Sequence, residues 1–364
     1  MELMQASQQW ASRPADEWFV SLNEMFNFAS DQMQHSKGVT VSSRSVSVEP
    51  LDGTNKGLVV VGPNASYAPT HWAFDQLSQR AGAPAGYLRD LPAPLAADCL
   101  NWGLKYQREI QDIGLLLYQN GGAPELRAAT GPNYGRIWNA EIIGQLNKLF
   151  GSGVPGDGGK WHIPGEFNRY DKPVTKESTT LYAGDRDMFA FLCDGEHDIE
   201  VKGRRNGQTG RMQRGFFVWN SDVGSRSFGL ATFLYDYMCA NHIVWGVTGF
   251  DEIRIRHTAS APDKWLAEVL PALESYANAS TSGISDGIKA AQSARIDNVD
   301  KFLGERFGTR MVDKFKAVHM LEEGRPIETV FDAVTAVTAQ AKSIPWIGQR
   351  VELEREAGKL LVLA

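Results

Sequence analysis

Between Lys202 and Arg214 the chain reads KGRRNGQTGRMQR, placing Lys202, Arg204, Arg205, Arg211 and Arg214 together with no acidic residue among them. Cations grouped without counter-charge attract phosphate, and guanidiniums neutralise it in a fixed fork geometry. Arg226 follows after a turn. The segment DEIRIRH (251–257) alternates Ile253 and Ile255 with Arg254 and Arg256. On a strand that period of two sends both isoleucines to the core and both guanidiniums to the opposite face. Phe217, Trp219 and Tyr134, with Arg136 two residues beyond the last, offer rings on which bases stack. The competing reading is structural: exposed strands carry arginine against edge pairing, and Phe217 and Trp219 fill a core. Carried forward, the pattern predicts phosphate contacts from Lys202, Arg204, Arg205, Arg211, Arg214, Arg254 and Arg256, with Arg226 and Arg136 as weaker members.

A second chemistry is written in carboxylates. Asp185, Asp187, Asp194, Glu196 and Asp198 lie close together in sequence. If Asp185 and Asp187 sit on one strand, they project from the same face and could share a divalent cation, as in a metal-dependent nuclease. No third ligand at defined spacing accompanies the pair, which favours solvated strand ends and an Asp194-Gly195-Glu196 turn. Other enzyme signatures fail on context. GSGVPG (151–156) has dinucleotide-loop glycine spacing but follows a helical stretch, and Pro155 sits where amides should face a phosphate. GDGGKW has Trp161 where a magnesium-binding hydroxyl belongs. There is no Gly-x-Ser-x-Gly elbow and no His-Glu-x-x-His, and the seven histidines are scattered. No cofactor is expected. In GFFVWNSDVGSRSFG (215–229), Ser221 has no base beside it, so the Asn220–Gly224 run reads as a hairpin turn, not a nucleophile.

The elements that must position these residues follow from the rest of the chain. With 364 residues, 43% hydrophobic and 22% charged, it suits one large or two ordinary globular domains. The net charge of −6 argues against wholesale wrapping of nucleic acid but not against a local basic site. Cys99, Cys193 and Cys239 are too far apart for a disulfide framework or a zinc site, and no signal pattern or membrane-length apolar run is present. The expectation is a cytoplasmic protein that does not enter a membrane. Residues 1–65 form an introductory region with a short helix and strands. Residues 66–260 hold an α+β core with a central, mainly antiparallel β-sheet and packed helices. Residues 261–364 turn helical, rich in Ala, Glu and Lys. Asn120-Gly121-Gly122 marks a hairpin. Phe74–Leu91 has helix–turn–helix spacing, but its candidate recognition helix has only Arg89 as a base-reading cation, against Asp90, and a plain helical hairpin is favoured.

The run RAATGPNYGRIWNAEIIGQL, followed by GFFVWNSDVGSRSFGLATFLYDYMCANHIVWG, resembles the phage- and plasmid-borne proteins grouped as domain of unknown function 932. The resemblance rests on Tyr134, Ile137 and Asn139 at a helix start, on Asn220, Ser221 and Gly224 in a turn, and on Cys239 and Asn241. It covers roughly residues 65 to 260, and His242 departs from the commoner glycine. It implies a mobile genetic element, no established enzyme activity and a setting beside recombination and replication. The function expected from these readings is non-catalytic binding of single-stranded nucleic acid, in an oligomeric annealing or recombination factor. The alternatives are a protein-interaction factor that interferes with host defence and the metal-dependent nuclease.

Overall fold

The computed structural model describes residues 14–51, 57–62, 65–107, 109–164, 173–237, 241–243, 252–341, 343 and 347–361. Within it the chain is α+β: antiparallel sheet, packed helices and a helical C-terminal region. The nine-stranded sheet is built around three long neighbours, Met188–Asp194, Gly210–Asn220 and Phe228–Asp236, all antiparallel. Their alternation explains the nearly unbroken apolar run GFFVW. Phe216 and Val218, with Ala190, Leu192, Phe228 and Leu230, face a core shared with the helices Leu22–Gln34, Asn139–Phe150 and Leu270–Asn278. Phe217 and Trp219 point to the other face, among Phe189, Phe191, Phe233 and Tyr235. Both faces are buried, so both parities must be apolar.

The central pair carries a close approach that only glycine permits. A Cβ on Gly229 would lie 1.9 Å from the indole of Trp219, its cross-strand partner. Gly229→Ala is expected to cost about 1–3 kcal/mol through overpacking, read as a lower denaturant midpoint with an unchanged slope. Ala231→Gly on the same face removes bulk and should not reproduce the clash.

A six-stranded sheet accompanies the first. Ser36–Ser42 pairs with Asp112–Tyr118, which pairs with Glu125–Thr130, so the predicted Asn120-Gly121-Gly122 hairpin is present. The strands of the introductory region therefore share a sheet with the segment after residue 110. One parallel pairing, Ser66–Pro69 with Glu125–Thr130, joins these three strands to the antiparallel strands Leu58–Val61 and Ser47–Pro50. The helices His71–Ala81 and Ala93–Trp102 cover this sheet, burying Ala73, Phe74, Leu77, Ala81, Ala97 and Leu100. Thr70 caps the first helix through Ala73 N at 3.2 Å. It and Ala85–Asp90 form the expected helical hairpin. Arg89 turns inward to Asp75, at 2.8 Å, and over the ring of Phe74.

Beyond residue 260 the helices divide between two cores. Trp265, Val269, Leu273 and Tyr276 pack beneath the large sheet. The helices from Ser282 to Leu360 build a second core around Ile284, Ile288, Phe315, Phe331 and Val334, which takes in Ile199, Val201, Met212 and Leu234 from one end of the sheet. Among the described residues, no helix is long and apolar enough to cross a membrane.

Candidate functional site

The basic stretch does not form one exposed patch. Arg204 is fully buried: its Nε and Nη2 donate to Glu323 Oε1 at 2.8 and 2.6 Å, and its Nη1 donates to Asp236 Oδ2 at 2.9 Å. Arg214 is buried between the rings of Trp161 and Tyr276, donating to Asp194 Oδ2 and to the carbonyls of Tyr276, Ala277 and Ala279. Arg226 pairs with buried Asp187 and lies over Phe189. These three guanidiniums neutralise carboxylates inside the fold, so they do not meet phosphate. Their counter-charges lie 20 to 119 positions away in sequence, apart from the stretch itself. Lys202, Arg205 and Arg256 are exposed. Arg211 bonds Asp198 at 3.0 Å, and Arg254 pairs with Glu252. Ile255 is buried on the opposite face from Arg254 and Arg256, as the alternation predicts.

The proposed metal pair is also separated. Asp185 is exposed in the turn before Met188–Asp194, whereas Asp187 is buried against Arg226 and Arg186. The two carboxylates are not on one strand, and the ion pair occupies the second. Among the described residues, no three metal-ligating side chains cluster.

What the fold does bring together are the segments around Tyr134–Asn139 and Asn220–Gly224. The Asn220–Gly224 turn joins the two longest strands, but Asn220, Ser221, Asp222 and Val223 are buried instead of forming a solvated tip. Its polar groups are met from three directions. Asn220 Nδ2 donates to Ile137 O and Asn139 Oδ1, both at 2.8 Å. The Tyr134 hydroxyl donates to Ser221 O at 2.7 Å. Trp72 Nε1 and Gln76 Nε2 both donate to Val223 O. Ser221 Oγ donates to Arg186 O and accepts from the amides of Val223 and Ser225, so it is a turn residue, as expected. Gly224, at φ 89°, takes the left-handed conformation that closes the turn, packed against Gln76, Thr130 and Tyr134.

Beside this junction lies a polar cleft of about 360 Å³. Gln76, Gln79 and Arg80 line it from one helix, and Gln111, Thr130, Tyr134 and Gly224 from the sheet side. Arg80 Nε is fixed to Ala129 O at 2.8 Å, which holds the guanidinium in place, and burial draws its pKa below the ordinary value. Gln76 Oε1 accepts from Ala129 N at 2.8 Å, so that amide is oriented as well.

Tyr134 is the hub. His257 stacks on its ring, with centroids 4.8 Å apart and planes at 26°. Arg136 lies over the rings of Tyr134 and Trp138, at 5.2 and 5.4 Å. Because His257 Nδ1 meets the Gly135 carbonyl at 3.0 Å, that nitrogen carries the proton, and the buried Nε2 is left as an unbonded acceptor. Burial, above all, lowers the His257 pKa, which keeps the ring neutral near pH 7. Burial likewise pushes the Tyr134 hydroxyl far above its usual range, ruling out a phenolate. Arg136 Nη1 is buried without a hydrogen-bond partner. Arg186, half exposed, lies over Trp72 at 5.7 Å, and Arg256 precedes His257 in the chain. Buried Asp222, the carboxylate of the turn, is bound to Arg127 at 3.3 Å.

Tyr134 and Arg136 were legible in sequence. Gln76, Gln79, Arg80, Gln111 and Arg186 were not, although the motif turn pointed to the place where they converge. Cys239 and the side chains of Asn241 and His242 lie outside the described residues. No family model, no curated protein and no solved structure matches this chain.

Proposed function

We propose that the protein binds single-stranded nucleic acid without catalysing a reaction on it, as an oligomeric strand-annealing or recombination factor of a phage or plasmid. The observation that carries this reading is the grouping of Arg80, Arg136 and Arg186 with Trp72, Tyr134 and Trp138 around the Asn220–Gly224 junction, with exposed Arg256 one residue before the His257 that stacks on Tyr134. Guanidiniums held beside half-buried rings suit a strand whose phosphates need neutralising and whose bases need a surface. The buried carboxylates at the junction, Asp187 and Asp222, are each bound to an arginine, so neither stands as an uncompensated buried charge beside the cleft. The side-chain amides of Gln79 and Gln111, which line the cleft beside the oriented amide of Gln76, supply donors and acceptors for a base edge or a sugar.

The combined variant Arg80→Gln, Arg186→Gln, Arg256→Gln tests the assignment by fluorescence anisotropy with a labelled single-stranded oligonucleotide. Binding is expected to weaken, and the slope of log K against log salt is expected to fall by about 2, at roughly 0.7 per lost phosphate contact. Lys202→Gln with Arg205→Gln is expected to change that slope less. The reverse ranking would return the site to the 202–214 arm. A second reading, a factor that binds a host protein, is favoured by Met320 and Leu321, 49% and 75% exposed at the end of the Thr309–Glu323 helix.

A further inference from the structure

A pair of aromatic rings stands out in solvent near the cleft. Trp102 and Tyr106 are 62% and 70% exposed, with centroids 5.1 Å apart and planes at 44°. They sit where the helix Ala93–Trp102 runs into the single wide turn Gly103–Gln107, hydrogen-bonded in the π pattern. Such turns are rare and recur at functional sites. The buried side of the same segment is held by Leu100 and Leu104, so the exposed rings are not needed to anchor it.

The position of the pair is set by a backbone contact. A Cβ on Gly103 would fall 2.1 Å from Ala81 O, so this turn lies directly on the end of the helix that carries Arg80. A few residues beyond Tyr106 the chain supplies Gln111 to the cleft itself. Phosphate-binding and ring-bearing surfaces are thus adjoining parts of one local structure.

We propose that Trp102 and Tyr106 form a base-stacking platform for the single strand whose phosphates bind at the Arg80 cleft; this rests on the nucleic-acid reading given above. The exposure of the pair favours a base over the backbone. Lys105, between the rings in sequence, is half-buried, whereas both rings are largely exposed, and an exposed uncharged ring face suits a neutral base better than a phosphate. Stacking tolerates any base sequence because every base presents a π face.

The test is Trp102→Ala with Tyr106→Ala in the full chain, titrated with a labelled single-stranded oligonucleotide and with the same strand carrying abasic sites. The double variant should bind the normal strand at least about tenfold more weakly, with the salt slope unchanged, since no phosphate contact is lost. It should bind the abasic strand as the unaltered protein does. Trp102→Phe with Tyr106→Phe should recover most of the affinity, which a merely structural role for the indole and phenol would not require. Because both side chains are exposed, the thermal midpoint should hold. Equal binding of normal and abasic strands by the unaltered protein, or unchanged affinity in the double alanine variant, would overturn the platform while leaving the cleft standing. Failure of the unaltered protein to bind either strand would overturn both.

Discussion

Arg204→Ala should lower the free energy of unfolding by about 3–5 kcal/mol, a large fraction of what holds an ordinary domain together. Arg204 is fully buried and joins two carboxylates that belong to different parts of the chain, Asp236 at the end of a central strand and Glu323 at the end of a C-terminal helix. Removing the guanidinium takes away the cation that joins two buried negative charges. Neutralising the whole group has a different consequence. Arg204→Met with Asp236→Leu and Glu323→Leu removes charge and desolvation together, and such replacements are often neutral or stabilising. Chemical denaturation of the single and triple variants checks the account: the single variant should fall well below the triple. Arg205→Ala, one residue along and exposed, should change stability by less than about 0.5 kcal/mol. Had the two arginines belonged to one exposed patch, they would behave alike.

A comparable loss is expected at Arg214, by another route. Its guanidinium joins Asp194 of the neighbouring strand to three carbonyls at the end of the Leu270–Asn278 helix, with Trp161 and Tyr276 on either side. It therefore closes a helix terminus, where carbonyls lack intrahelical donors, and pins that helix to the sheet. Arg214→Ala should cost about 3–5 kcal/mol, and Asp194→Ala, which leaves a buried cation, a similar amount. The double variant should cost much less than the sum, because either substitution alone already breaks the pair. A double-mutant cycle by urea denaturation measures the coupling. Additive losses would mean that the carboxylate and the guanidinium act independently, contrary to the geometry.

The contrast between these arginines and Arg205 marks where the sequence stopped being informative. Local periodicity identified the Gly210–Asn220 and Phe228–Asp236 strands, the outward face of Arg254 and Arg256, and the helical hairpin after Thr70, because each depends on residues within a few positions. Whether a cation is free depends on carboxylates anywhere in the chain. Glu323 stands 119 positions from Arg204, and no window around KGRRNGQTGRMQR could contain it. Asp187 misled in the same way, since its partner Arg226 arrives through strand pairing. The candidate site was partly legible for the opposite reason. Tyr134 and Asn139 stand in one sequence motif and Asn220 and Gly224 in another, and the fold joins them by hydrogen bonds and direct packing. Arg80 carried no mark in sequence beyond a place on an amphipathic helix. Its place in the cleft follows from the bond that Ala129 O accepts, across 49 positions.

The most direct measurement is an anisotropy titration of the unaltered protein with a labelled single-stranded oligonucleotide, at several salt concentrations, with and without magnesium. Tight binding that weakens steadily with salt, needs no magnesium and leaves the oligonucleotide intact is the predicted result. Absence of binding even at low salt would contradict it and would turn attention to a protein partner at Met320 and Leu321.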